Sequence, residues 1–140
     1  MSQLSLDLLL KMDKSKIQRP TAKIEMSRLS ELVGEPVIFT CQALTMDEFE
    51  EVQEVSVSFG KKGELEEFST NKVQIFTLLK GIVDPKLSDS KLLEAYGVTT
   101  PKQLIEESKL LLPGEVTQLY NVISSLSGFG DEAVKELKNG

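Results

Sequence analysis

Proline, glycine and helix-capping residues recur so closely after residue 83 that the C-terminal half of the chain has to be a set of short helices joined by tight turns. Asp84-Pro85 closes one helical stretch, Ser88 is placed to cap the next, and Gly97 stands where a left-handed stop is wanted. Thr100, Pro101 and Gln103 combine a cap, a first-turn proline and the far side chain of a capping box, and Pro113 opens another helix. Behind it Val116, Leu119, Tyr120, Ile123 and Leu126 recur at helical spacing, Gly128 stops the run, and Phe129 is placed to fold back as a hydrophobic clip.

Upstream the pattern is mixed. From Thr70, the residues Val73, Ile75, Phe76, Leu78, Leu79 and Ile82 wrap so much of a helix surface that this helix belongs in the centre of the molecule. Thr45 and Glu48 form a capping box that starts a helix running to about Val55, with Met46, Phe49 and Val52 on one side and Asp47, Glu50, Glu51 and Glu54 on the other. That helix is expected to cover a strand pair, because apolar and polar residues alternate over Ala22 to Met26 and again over Val37, Phe39, Cys41 and Ala43. Arg28 to Val33 supply a helical turn between the strands, and a pair this small needs helices against one face. Val55, Val57 and Phe59 alternate before a Gly60-Lys61-Lys62-Gly63 turn that suits a hairpin or a loop.

Residues Gln3 to Met12 read both as a strand, with Leu4, Leu6, Leu8 and Leu10 alternating, and as a short helix with Leu6, Leu9 and Leu10 on one stripe; the helix is the preferred reading. The polar, Lys-rich stretch Asp13 to Pro20 separates this segment from the rest. The expected organisation is an amphipathic arm and linker over residues 1–21, one globular domain over 22–130 and a polar tail over 131–140. The fold class is α+β and mostly helical: a small antiparallel strand pair near the N-terminus packed on a C-terminal helical bundle.

Composition narrows the chemistry. The formal net charge of -6 removes the main driving force for nucleic-acid binding, and no apolar run is long enough to span a membrane, so a soluble cytoplasmic protein is expected. There is no histidine, and the single cysteine, Cys41, lies on the same strand face as Val37 and Phe39, which makes it a small buried apolar residue rather than a nucleophile. Gly60-Lys61-Lys62-Gly63 lacks the spacing and the following Ser or Thr of a phosphate loop. No cofactor, metal site or catalytic residue is indicated.

The string Leu79-Lys80-Gly81-Ile82-Val83-Asp84-Pro85-Lys86-Leu87, then Tyr96-Gly97-Val98, Leu112-Pro113-Gly114-Glu115 and Leu126-Ser127-Gly128-Phe129, resembles the XkdN-like phage tail assembly chaperones. The N-terminal half agrees, with Arg28-Leu29-Ser30-Glu31-Leu32-Val33-Gly34-Glu35-Pro36-Val37-Ile38-Phe39 and then Leu44-Thr45 standing before the acidic helix. Each motif consists of common turn and cap residues; their order and spacing carry the likeness. The resemblance implies a non-enzymatic protein, encoded by a phage or prophage, that binds the long helical tape measure protein, keeps it soluble while tube subunits polymerise around it, and is absent from the finished virion. It also implies the tail tube protein as a further partner. The alternatives are a small structural subunit of the tail and a carboxylate-dependent enzyme.

Two surfaces are candidates for partner binding. One is the arm, through Leu4, Leu6, Leu8, Leu9 and Leu10, which can dock in a partner's groove, in that of a neighbouring copy as a homo-oligomer, or on its own domain. The other is the acidic face Asp47, Glu50, Glu51 and Glu54, which suits a basic stretch of a partner, although the solvated side of an amphipathic helix is the leading reading of such spacing.

Overall fold

The structure is a computed structural model that describes residues 3–56, 70–130 and 133–137. Its elements in chain order are α1 (Gln3–Lys11), β1 (Thr21–Glu25), α2 (Ser27–Val33), β2 (Ile38–Gln42), α3 (Met46–Ser56), α4 (Thr70–Gly81), β3 (Ile82–Asp84), α5 (Ser90–Ala95), α6 (Pro101–Glu107) and α7 (Pro113–Ser124). A single 3-10 turn at Lys14–Lys16 interrupts the linker, and a π-turn at Ser125–Phe129 extends α7. The α+β, mostly helical class holds. The alternation at Val57 and Phe59 and the turn at Gly60 to Gly63 lie outside the described residues.

β1 and β2 pair antiparallel with Ala22 opposite Cys41 and Ile24 opposite Phe39, so one face of the ribbon is apolar. The sheet has a third strand beyond the expected pair: β3 lies antiparallel to β2, with Cys41 opposite Ile82. Three residues are too few to show an alternating pattern, and in sequence Ile82 reads as one more residue of the helical stripe. In space α4 stops at Gly81 and the chain passes straight into the strand. Gln42 of β2 donates from Nε2 to the Lys80 carbonyl at 3.2 Å, satisfying one of the carbonyls that a helix end leaves without a partner.

α4 is central, as its apolar wrap predicts. It packs along α3 on one side and α7 on the other and also meets α6 and β3. α3 therefore covers α4 rather than the strand pair. The reason is that α4 and α7 already occupy the apolar side of the sheet, with Phe39, Cys41, Leu78, Leu119 and Ile123 in one buried cluster. Phe49 and Val52 face inward, whereas Met46 is 76% exposed and does not join the stripe. Cys41 is fully buried and its thiol is pushed up to about 11 by desolvation, which suits a core residue and not a nucleophile.

The caps hold with small shifts. Thr45 and Glu48 make both bonds of their box, at 3.2 and 3.1 Å. Asp89, not Ser88, caps α5, because its carboxylate reaches the amides of both Lys91 and Leu92. Thr100 caps α6 by accepting from the Gln103 amide, but the Gln103 side chain accepts from Thr99 instead of closing the box on Thr100. Gly97 and Gly128 both adopt positive φ.

Two tertiary constraints are specific enough to test. A Cβ on Gly81 would lie 2.5 to 2.8 Å from three side-chain atoms of Ile123, which is itself fully buried and has nowhere to move. Gly81→Ala should therefore lower the urea midpoint by the equivalent of about 1–3 kcal/mol, overpacking outweighing the gain in helix propensity. Gly114→Ala, which meets nothing within 4 Å, should leave the midpoint unchanged or raise it. The second constraint joins α2 to α7. The Arg28 guanidinium donates to both carboxylate oxygens of Glu115, at 3.0 and 2.8 Å, and to the Leu110 carbonyl at 2.7 Å. These bonds hold the Glu115 carboxyl below the ordinary glutamate range. A depressed folded pKa gives stability that is present at neutral pH and is lost as the pH falls through that value, below about pH 4. Acid unfolding followed by circular dichroism should accordingly show a shallower loss between neutral pH and pH 3 in Glu115→Gln than in the wild type. Arg28→Ala should lower the urea midpoint at pH 7, since it removes the fork on Glu115 and the bond to the Leu110 carbonyl together.

Candidate partner-binding site

The arm is a helix, and the structure leaves it out of the core. Leu6, Leu8, Leu9 and Leu10 are between 50% and 70% exposed, and Ile17 beyond them is 64% exposed. Leu4 lies in the same helix. Asp13 then turns the chain by accepting from the Ser15 amide at 3.0 Å and from its hydroxyl at 2.6 Å, bonds that hold the Asp13 carboxyl below its ordinary value. The root of the linker is fixed. Arg19 donates to Glu48 Oε1 at 2.8 Å and to the Ala43 carbonyl at 3.4 Å, so the arm departs from the start of α3.

The same carboxylate thus closes the cap of α3 and anchors the arm, a double role that the capping signature alone does not reveal. Of the four acids proposed for partner binding, Glu51 forms an ion pair with Lys80 of α4 and is committed to holding α3 on its neighbour. Asp47, Glu50 and Glu54 point to solvent on the face of α3 away from α4. The structure does not gather the leucines and the acids into one patch; the Arg19 anchor reaches Glu48, which is none of the four candidate acids.

A further feature comes from residues that sequence spacing left in separate elements. α3, α4, α7 and the π-turn enclose an apolar groove of about 290 Å³, lined by Phe49, Val52, Val73, Tyr120 and Phe129. Gly128, at φ 96°, turns the chain so that the Phe129 ring lies 5.5 Å from that of Phe49, the clip expected from the Ser127-Gly128-Phe129 ending. Ser127 fixes the position of this turn, donating to the Ile123 carbonyl at 2.7 Å and accepting from the Leu44 amide at 2.8 Å. Phe129 is nevertheless 62% exposed, so it forms the rim of the groove rather than its floor. A second cleft of about 480 Å³ separates α4 from α6 and α7, with Ile75, Ile105, Leu111 and Val116 along it and Glu106 and Lys109 beside it.

Among the described residues no cluster of three or more Cys, Asp or Glu is placed to hold a metal ion, and no helix is long and apolar enough to cross a membrane. The arrangement is one of apolar surface, charge and grooves, which is the chemistry of protein binding.

Comparison with known proteins gives a fold and a family. The crystal structure of the protein yqbn superposes with a TM-score of 0.62 at 20% sequence identity, covering 85% of this chain and 93% of that one, and so shares the fold. No curated protein matches in sequence. Residues 6–139, from within α1 to the penultimate residue, match the family described as phage XkdN-like tail assembly chaperone protein, and the chain belongs to that family.

Proposed function

We propose that this tail assembly chaperone binds the tape measure protein through α1 and holds it soluble until the tail tube forms around it. The observation that carries this reading is the exposed row of leucines on a helix standing outside the core. A long helical client aggregates through its own apolar stripes, and a second amphipathic helix laid along such a stripe covers it without opening the chaperone's core. Covering the exposed half of each leucine contributes about 1 kcal/mol, so Leu6, Leu9 and Leu10 on their shared stripe give a contact strong enough to form and weak enough to release once ordering costs are met. Asp47, Glu50 and Glu54 add a negative face for basic stretches of the client, and their effect should weaken in salt. The tail tube protein, implied by the family resemblance, would arrive as the competitor that displaces the chaperone.

Co-expression tests the reading directly. With the full chain present, the tape measure protein should remain in the soluble fraction, and deletion of residues 1–13 should return most of it to the pellet. Because the leucines contribute little to the core, the same deletion should move the melting temperature of the body by no more than a few degrees. A client that aggregates equally with and without the chaperone would sink the proposal, as would recovery of the chain in stoichiometric amounts from purified tails.

A further inference from the structure

We infer that the open edge of β1 receives β1 of a second copy, the two strands pairing antiparallel about a two-fold axis that passes through Ile24. In the strand order β1-β2-β3, β1 has a neighbour on one side only. Met26 donates to the Val37 carbonyl and Ala43 to the Pro20 carbonyl, both at 2.9 Å, which fixes the phase of the β1–β2 ladder. Because bonded and non-bonded pairs alternate along an antiparallel ribbon, Ala22 and Ile24 turn their backbone groups to Cys41 and Phe39. Thr21, Lys23 and Glu25 then turn theirs to the open side.

Among the described residues, no backbone bond joins those three to any other element. A row of unpaired N–H and C=O groups is a template for another strand. Its side chains say which strand fits. Lys23 and Glu25 are exposed on one face of β1 and are not ion-paired among the described residues, whereas Ile24 between them lies on the apolar face. An antiparallel partner therefore needs a basic residue opposite Glu25, an apolar one opposite Ile24 and an acidic one opposite Lys23. Read in its own direction that partner is basic, apolar, acidic, which is the order Lys23-Ile24-Glu25 of β1 itself.

Charge also selects the register. An edge lysine ordinarily wards off a second strand, and a pairing centred on Lys23 would set the two lysines opposite each other. Centring on Ile24 sets Lys23 of each copy opposite Glu25 of the other in bonded pairs, with the two Ile24 residues facing each other in the non-bonded pair between them. The contact is isologous and closes at two copies. The strand overlap stops where α2 begins at Ser27, so it falls below the roughly 1,200 Å² of a stable interface and the dimer is a weak, reversible one. Such a dimer presents two α1 arms, which, on the proposed reading of α1, gives a client with repeated apolar stripes two grips in place of one.

The test uses the full chain without client, in sedimentation equilibrium up to about 1 mM and at about 0.15 M salt, where the net repulsion between copies is screened beyond about 8 Å. The wild type should show a monomer–dimer equilibrium. Lys23→Glu and Glu25→Lys change exposed side chains, so folding, checked by circular dichroism, should survive in both. Each alone should dimerise at least about tenfold more weakly, because both cross-strand pairs then set like charges opposite each other. An equal mixture of the two should recover the dimer, and so should the double variant Lys23→Glu/Glu25→Lys, whose strand is again its own complement. A wild type that stays monomeric overturns the inference, as does a single variant that dimerises like the wild type or a double variant that stays monomeric. None of these outcomes touches the proposed function, which is read from client solubility and deletion of residues 1–13.

Discussion

The approach of α4 to α7 at Gly81 is the constraint on which the other elements depend. Only a residue without a side chain lets Ile123 sit against the last turn of α4, and that closeness lets the chain leave the helix and enter β3 beside β2 with no loop between. One contact therefore sets both the crossing of the two central helices and the edge of the sheet. Buried Leu78, Leu119 and Ile123 then meet Phe39 and Cys41 of the middle strand in a single cluster. Close-packed interiors respond to the volume of one methyl group, so this junction fixes the rest of the arrangement.

Polar bonds fasten the ends of the helices that the apolar contact brings together. The Arg28 fork holds the first turn of α7 through Glu115, and Ser127 holds the last turn to Leu44 just before α3. α7 is consequently tied at both ends, and the groove between α3, α4 and the π-turn has walls that cannot drift apart independently. The costs of ordering these walls are then met in folding.

Much of this was legible in residue order, and the failures have physical causes. Capping boxes, first-turn prolines and positive-φ glycines are local chemistry, so Thr45 with Glu48, Pro101, Pro113, Gly97 and Gly128 mark their helix ends correctly. β3 was hidden because Ile82 continues a helical stripe while its backbone belongs to a strand. The placement of α3 was misread because periodicity names the face that is buried but not the element that buries it. The Arg28–Glu115 and Arg19–Glu48 pairs span 87 and 29 residues, and no local pattern links such partners. The groove was invisible for the same reason: Phe49, Val73 and Phe129 come together only in space.

On the proposed function, keeping the leucines on a separate helix resolves the conflict that a chaperone for an aggregating helical client faces. Surface apolar enough to hold the client is apolar enough to aggregate, and placing it on the core would put the fold itself at risk each time a client binds or leaves. Here the core is closed by α4, α7 and the sheet, while the sticky surface sits on α1 beyond an arginine anchor. The net charge of -6 makes bodies repel one another. An acidic body with its apolar surface set apart on α1 is then no contradiction: charge keeps the bodies in solution while the proposed client contact falls to the arm.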